Sequence, residues 1–230
     1  MTPTGESAGG ATLVVAIDGP SGSGKSSVAR RVAERLGYLY LDTGAMYRAV
    51  GVLAAEAGVP LNDEAAVVAV AAEARLSFDG EGHLHAGRRD LGEAIRTLDA
   101  GELASRVSAL PGVRRLLVEE QRALARERGV VMEGRDIGTN VFPDAAVKVY
   151  LTASPEVRAE RRLRELAAGG AHVTLDEVVA SVVERDRRDS ERAVAPLRQA
   201  VDAVIVDTTH TGLDEVVTTV EDLARRRLTL

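Results

Sequence analysis

Gly19-Pro20-Ser21-Gly22-Ser23-Gly24-Lys25-Ser26 is the segment whose residue types and spacing most directly imply chemistry. It meets the phosphate-binding loop pattern G-x-x-x-x-G-K-[ST] at every required position. Glycines let a strand feed a helix through a tight loop whose backbone N–H groups converge on one point. The helix N-terminus adds partial positive charge there. A polyphosphate suits that point, with Lys25 reaching its terminal phosphates and the Ser26 hydroxyl coordinating Mg²⁺. The chain has 29 basic residues, and only Lys25 and Lys148 are lysines. A lysine kept in this loop indicates a need for a compact ammonium rather than a planar fork. The competing reading is a glycine-rich turn that binds nothing. The flanks argue against it: Leu13 to Asp18 is an apolar run fit for a buried strand, and Val28, Ala29, Val32, Ala33 and Leu36 follow at helical spacing.

Four further clusters could carry chemistry. Leu41-Asp42-Thr43-Gly44-Ala45-Met46-Tyr47-Arg48 brings a hydroxyl, Thr43, and a guanidinium, Arg48, to a strand-to-helix junction. Arginine is the side chain for bidentate phosphate binding, although Arg48 alone also reads as a solvated helix residue. Glu133-Gly134-Arg135-Asp136-Ile137-Gly138-Thr139 puts an Arg-Asp pair directly after an apolar strand. That pair is either a structural ion pair or a ligand contact. Arg185, Asp189 and Arg192 recur at i, i+4, i+7 within a mixed charge run that would otherwise read as a solvated face, and Arg188 falls near the same side. Arg158, Arg161, Arg162 and Arg164 crowd into seven residues and repel one another unless anions neutralise them. ATP phosphates would do so, as would Glu160, Glu165 and solvent.

These groups need a scaffold that brings them to one edge. Five runs read as buried parallel strands: Leu13–Asp18, Tyr38–Leu41, Val130–Glu133, Val147–Leu151 and Ala203–Asp207. Helical segments lie between them, as parallel pairing requires. Ligands of such sheets bind at the C-terminal strand edge. Ser154-Pro155 reads as N-cap and N1, Thr174 with Glu177 as a capping box, and Thr211 with Asp214 as a near relative of one. Pro111 opens a helix running to about Arg126. Short alternating pieces separated by glycines from Leu76 to Glu93 predict small antiparallel strands in an insertion of about 60–110. Ala167-Ala168-Gly169-Gly170-Ala171 links two Arg-rich helices, which predicts a lid over about 155–190. The expected architecture is α/β: one domain over 13–230 with a five-stranded parallel sheet, helices on both faces, the antiparallel insertion and the helical lid. Residues 1–12 are expected to form a disordered tail.

Composition narrows the function classes. Apolar residues make up 45% and aromatics 3% of the 230 residues, so the core must be aliphatic. No apolar stretch reaches the ~18–20 residues that span a bilayer. The chain has no cysteine, which removes disulfides, thiolate metal sites and cysteine nucleophiles and suits a cytoplasmic enzyme. His83 and His85 share one face of a strand with no third ligand evident and read as surface residues. The net charge of −6 argues against a nucleic-acid partner.

In combination and in order, the loop Ile17–Ser26 and the runs Leu41–Arg48, Glu133–Thr139 with Val141–Ala145, and Arg185–Leu197 resemble bacterial cytidylate kinases. The antiparallel insertion fits the same family. Asn140 stands where that resemblance leads to Val or a similar residue, outside the contacts it implies. The resemblance implies ATP-dependent, Mg²⁺-assisted phosphorylation of CMP or dCMP by a monomer. It implies ATP on Gly19, Pro20, Ser21, Gly22, Ser23, Gly24, Lys25, Ser26 and Ser27 and on Arg158, Arg161 and Arg162. The acceptor phosphate would meet Thr43, Arg48 and Arg135, the cytosine Ser105, Arg114 and Asp136, and the sugar side Arg185 and Asp189, with Arg192 on the nucleotide or lid. Lys25, Arg135 and Arg185 are the expected catalytic groups. Kinases for UMP, shikimate or dephospho-coenzyme A share the loop and sheet but not the insertion or the Arg185–Leu197 run. A GTP-dependent switch protein would be expected to carry Asn-Lys-x-Asp, but neither Asn62 nor Asn140 precedes Lys, and Asp79-Gly80-Glu81-Gly82 reads as a hairpin turn.

Overall fold

Val14, Val15, Ala16 and Ile17 are all fully buried, so the strand they form needs cover on both faces. A computed structural model of the protein describes residues 13–126, 128–168, 170 and 173–228 and supplies that cover. Strand β1 (Val14–Asp18) is the centre of a five-stranded, all-parallel sheet. With β2 (Leu39–Asp42), β6 (Val130–Gly134), β7 (Val147–Thr152) and β8 (Val204–Asp207), the order is β2-β6-β1-β7-β8. Side chains alternate along β1. Val15 and Ile17 pack with Val28 and Val32 of helix α1 (Lys25–Leu36) and Val217 and Val220 of α8 (Leu213–Leu228). Val14 and Ala16 pack on the other face, with Val118 of α5 (Pro111–Leu124). The observed strands match the five expected runs to within one residue at each end. Register aligns Asp18 with Gly134 and Asp42 with Glu133, so their carboxyl groups gather at one edge.

A second core lies beside the sheet. Helices α2 (Thr43–Glu56), α3 (Glu64–Ala74) and α4 (Leu98–Val107) bury Ala49, Val50, Ala54, Val67 and Val107 together with Leu117 of α5. Between α3 and α4 lies the expected antiparallel insertion: β3 (Leu76–Phe78), β4 (Leu84–Ala86) and β5 (Arg89–Asp90). The Asp79–Gly82 segment is a hairpin turn, closed by Gly82 N–H on the Asp79 carbonyl at 3.1 Å. Its tip rests on the main domain, where Arg30 donates to the Glu81 carbonyl (3.2 Å) and lies 4.7 Å from the centre of the Tyr40 ring. The turn brings the Asp79 carboxylate within 3.3 and 3.2 Å of the His83 and His85 rings, and among the described residues no group of His, Asp and Glu is arranged to hold a metal ion.

Helices α6 (Pro155–Ala168) and α7 (Leu175–Glu191) form a hairpin whose seam is Ala159, Leu166, Val178 and Val182. Ser154 caps α6, and Thr174 and Glu177 make the reciprocal capping box of α7. Gly170, in the connection, takes a left-handed φ of +80°. Gly169, Ala171 and the tail 1–12 lie outside the described residues. Thr211 does not cap α8. Its hydroxyl donates back to the Asp207 carbonyl (3.1 Å), Gly212 supplies the first helical acceptor, and Asp214 pairs with Arg31.

Helices α2 and α4 approach so closely at Gly51 that a Cβ there would lie 2.7 Å from the Leu103 Cβ. Gly51→Ala is therefore expected to lower unfolding stability by about 1–3 kcal/mol through overpacking. Urea denaturation checks this, the expected result being a lower midpoint with an unchanged slope.

Candidate active site

A cleft of about 950 Å³ opens at the C-terminal edge of the sheet. Among the described residues, ten cationic side chains and five carboxylates line it, although the chain as a whole is acidic. Its floor is the loop after β1. Gly19, at φ +149°, has no room for a Cβ against the Leu151 carbonyl, and Gly24, at φ +89°, is the N-cap of α1. Gly19 and Pro20 are not part of the cleft lining; they shape the loop. The Pro20 carbonyl accepts from Ser23 Oγ (3.0 Å) and Lys25 Nζ (2.6 Å). Ser21 to Ser27 face the cleft.

Lys25 is buried, and its ammonium is pulled down to about 7 by loss of solvent and by the Arg135 guanidinium. Glu133, across the floor, is pushed up by burial and by Asp42, while Tyr40 Oη donates to it at 2.6 Å. Asp42 caps α2 through Ala45 N–H and pairs with Arg48 (2.7 Å), which outweighs burial and keeps its carboxyl low. Burial drives the Asp18 carboxyl up to about 6, against two backbone donors, Ile137 N–H and Gly138 N–H, both at 2.8 Å. That bond pair ties the end of β1 to the five-residue π-helical turn Ile137–Val141.

The Arg135-Asp136 pair is split rather than joined. Arg135 Nε donates to Asp189 at 2.9 Å, while Asp136 receives Arg114 and has Arg192 Nη2 at 3.8 Å. Arg114 lies 5.6 Å from the centre of the Tyr47 ring. Thr43 Oγ1 donates to the Glu133 carbonyl (2.7 Å), and Ser105, Ser108, Tyr47 and Arg48 complete this end of the cleft. Arg185, Asp189 and Arg192 all reach the cleft. Burial and Arg135 lower Arg185 to about 10, and its Nε has no protein partner. Arg188 departs from the expectation. It points outward to Glu184 at 3.6 Å, because its position on α7 is turned away from the cleft.

The crowded arginines of α6 are neutralised by protein groups to different degrees. Arg158 does not line the cleft. Its three nitrogens go to the carbonyls of Ala153 (3.0 Å) and Ser21 (3.1 Å) and to the Asp186 carboxylate (2.7 Å), so it clamps the phosphate loop to α7. Arg161 holds Thr208, and Arg162 pairs with Glu165, both beside the loop. Sequence reasoning missed Tyr40, Asp18, Thr208 and Asp186. Asp18 and Thr208 carried a faint signal, as polar residues at or just after the ends of apolar strands. It also set Asn140 apart from the contacts, whereas Asn140 Nδ2 donates to Asp136 Oδ2 at 3.2 Å.

A phosphate-binding loop on a five-stranded parallel sheet, facing a basic second pocket under a helical hairpin, defines a phosphate-loop kinase of small molecules. The cytidylate kinase family model matches residues 15–226, and the chain belongs to that family. It is 47% identical to the cytidylate kinase of Geobacter sulfurreducens over 96% of each chain. It is 48% identical to the bifunctional pantoate ligase/cytidylate kinase of a Synechococcus species, over 94% of this chain but only 41% of that longer protein. A solved structure of an uncharacterized Eubacterium ventriosum protein superposes with a TM-score of 0.53 at 11% identity, covering 94% of this chain and 99% of that one, which supports the fold alone.

Two outcomes test the electrostatics. With Lys25 lowered to about 7 by burial and by Arg135, anionic phosphates at the loop must raise it again. Binding of a non-hydrolysable ATP analogue at pH 8 is then expected to take up ~1 proton. Calorimetry in buffers of different ionisation enthalpy reads this, and Lys25→Met should abolish it. Separately, Arg158→Leu strands Asp186 and frees two carbonyls, and is expected to cost about 3 kcal/mol of stability in thermal or denaturant unfolding.

Proposed function

We propose that this chain transfers the γ-phosphoryl group of ATP to CMP or dCMP, giving ADP and CDP or dCDP. The observation that carries the reading is one cleft in which the phosphate loop faces a second set of groups, Arg48, Arg135, Arg185 and Asp189, with Ser105, Arg114 and Asp136 beyond them. The first set suits a triphosphate. The second suits a monophosphate, a sugar and a base that offers an amino donor. Matching at 47% identity over nearly full length to a protein named cytidylate kinase supports the same substrates.

The attacking atom is a phosphate oxygen, already anionic near neutral pH, so no general base is needed. The cleft's task is to bring two anions into line and to spread the charge of a loose transition state. Backbone N–H groups of Gly22 to Ser26 and the Lys25 ammonium would hold the donor phosphates. Arg48, Arg135 and Arg185 would hold the acceptor phosphate against them. Asp189, kept ionised by Arg135 and Arg185 despite burial, holds the Arg135 guanidinium through Nε at 2.9 Å. The α6–α7 hairpin would close over the pair and keep water from the γ-phosphoryl group. The Ser26 hydroxyl with the nearby Glu133 and Asp42 carboxylates is a hard oxygen set that fits Mg²⁺, held chiefly through substrate phosphates. Bound there, the ion would neutralise charge on the donor phosphates. Among the described residues no helix is long and apolar enough to cross a membrane. A cytoplasmic location suits a cysteine-free chain, and the family resemblance is the ground for expecting a monomer.

ADP release with CMP, dCMP, UMP, AMP and shikimate as acceptors tests the proposal directly. CMP and dCMP are expected to be the best acceptors. Lys25→Ala is expected to lower turnover by roughly 10²–10³-fold with unchanged circular dichroism. Turnover confined to a different acceptor would overturn the assignment.

A further inference from the structure

Asp136 is the buried carboxylate at the far end of the cleft, and its two oxygens are treated differently. Oδ2 receives Arg114 Nη2 and also Asn140 Nδ2 at 3.2 Å. Oδ1 receives no hydrogen bond: Arg192 Nη2 stands 3.8 Å away, beyond bonding range, and is itself buried with no partner. Arg192 is held off by its own anchors, the Ala195 carbonyl (2.7 Å) and Ser108 Oγ (3.3 Å). One oxygen is therefore saturated by protein donors and the other is left to the cleft.

Asn140 is placed for this by backbone geometry. It sits in the π-helical turn Ile137–Val141, and its own N–H donates to the Asp136 carbonyl at 2.9 Å. The Asp136 carbonyl accepts this i, i+4 bond together with an i, i+5 bond from Val141 N–H at 3.1 Å, and the i, i+4 spacing sets Asn140 on the same side of the turn as Asp136. The base of the turn is pinned by the Asp18 carboxylate on Ile137 N–H and Gly138 N–H. A carboxylate held by two donors on one oxygen loses rotation about its terminal bond. Its free oxygen then has a fixed direction.

We propose that Asn140 is a positioning residue for acceptor choice: with Arg114 it locks Oδ2 of Asp136 so that Oδ1 faces the cleft as a lone, oriented acceptor for the exocyclic amino group of the base. The inference rests on the reading of Asp136 as a base contact. A base bearing a carbonyl at that position would meet Oδ1 as two unprotonated oxygens, and the site cannot relieve this by turning the carboxylate. Without the amide, rotation returns and discrimination weakens. A site built to hydrogen-bond one substrate group rejects the analogue lacking it because its own buried group is then left unpaired.

The test is kinetics and binding with CMP and UMP in wild type, Asn140→Ala, Asn140→Asp, Asp136→Ala and the double variant Asn140→Ala/Asp136→Ala. Asn140→Ala is expected to raise KM for CMP by about 3–10-fold, the scale of one ordinary hydrogen bond, and to narrow the CMP-to-UMP ratio. The KM for ATP and the thermal midpoint should stay at their wild-type values. Asn140→Asp, which sets a second carboxylate beside the first, should be worse than Asn140→Ala. In the Asp136→Ala background the Asn140 substitution should have no further effect on the ratio. An unchanged CMP-to-UMP ratio in Asn140→Ala, or effects that add fully with Asp136→Ala, would overturn the inference. Equal losses for ATP and CMP with a lowered midpoint would also overturn it, by making the role a general structural one. Calorimetric titration with CMP separates this from the underlying reading: a wild type that binds no CMP overturns both, whereas one that binds CMP as tightly as Asn140→Ala overturns this inference alone.

Discussion

Positive charge packed into a cavity with too little negative charge to balance it is the condition from which most of this structure follows. Lys25, Arg114, Arg135, Arg185 and Arg192 converge on one cleft. Left unpaired and partly desolvated, such groups would repel one another and lose hydration. The fold answers with a few carboxylates threaded between them. Asp189 holds Arg135, Asp136 holds Arg114, Asp42 holds Arg48 and Asp186 holds Arg158. These pairs keep the cleft open and oriented without cancelling its field. The remaining excess is what a pair of phosphorylated ligands would neutralise.

The carboxylates arrive from different parts of the chain, and the parallel sheet lets them meet. Asp18 and Asp42 come from strand ends, Asp136 from the turn after β6, and Asp186 and Asp189 from α7. Two ties are made by residues outside the cleft lining. Asp18 carries the end of β1 to the turn that bears Asp136, and Arg158 carries the phosphate loop to the helix that bears Asp189. The glycine-rich loop and the groups opposite it are thus built on shared supports. A shift of the phosphate loop must be felt by the groups opposite it.

Much of the architecture was legible because its signals are local. A buried parallel strand writes a short apolar run, a helix start writes a cap, and glycine spacing betrays the phosphate loop. The Thr174–Glu177 box and the Ser154-Pro155 start were readable for that reason, and Thr211 was misread because its hydroxyl has a nearer acceptor in Asp207. The site was legible as a set of residues but not as a set of pairs. Arg135 and Asp136 are adjacent in sequence yet choose partners 54 and 22 positions away. Arg158 looked like a free phosphate ligand, and only tertiary structure shows all three of its nitrogens already taken. Asn140 looked incidental, since no periodicity announces a π-helical turn.

The placement of β1 at the middle of the sheet also sets the order in which the molecule can be assembled during synthesis. β1 is the first strand to be made, but Val14 pairs with Val130 and Val15 with Val147. At ordinary translation rates its partners leave the ribosome on the order of ten seconds later. Helix α1 follows at once and can shelter Val15 and Ile17, whereas both edges of the strand must wait for the strands that begin at Val130 and Val147. Between the making of β1 and of β6 the nascent chain therefore carries an apolar, unpaired strand. Until then, the cover available to it is that of the helix that follows, and not that of the finished fold.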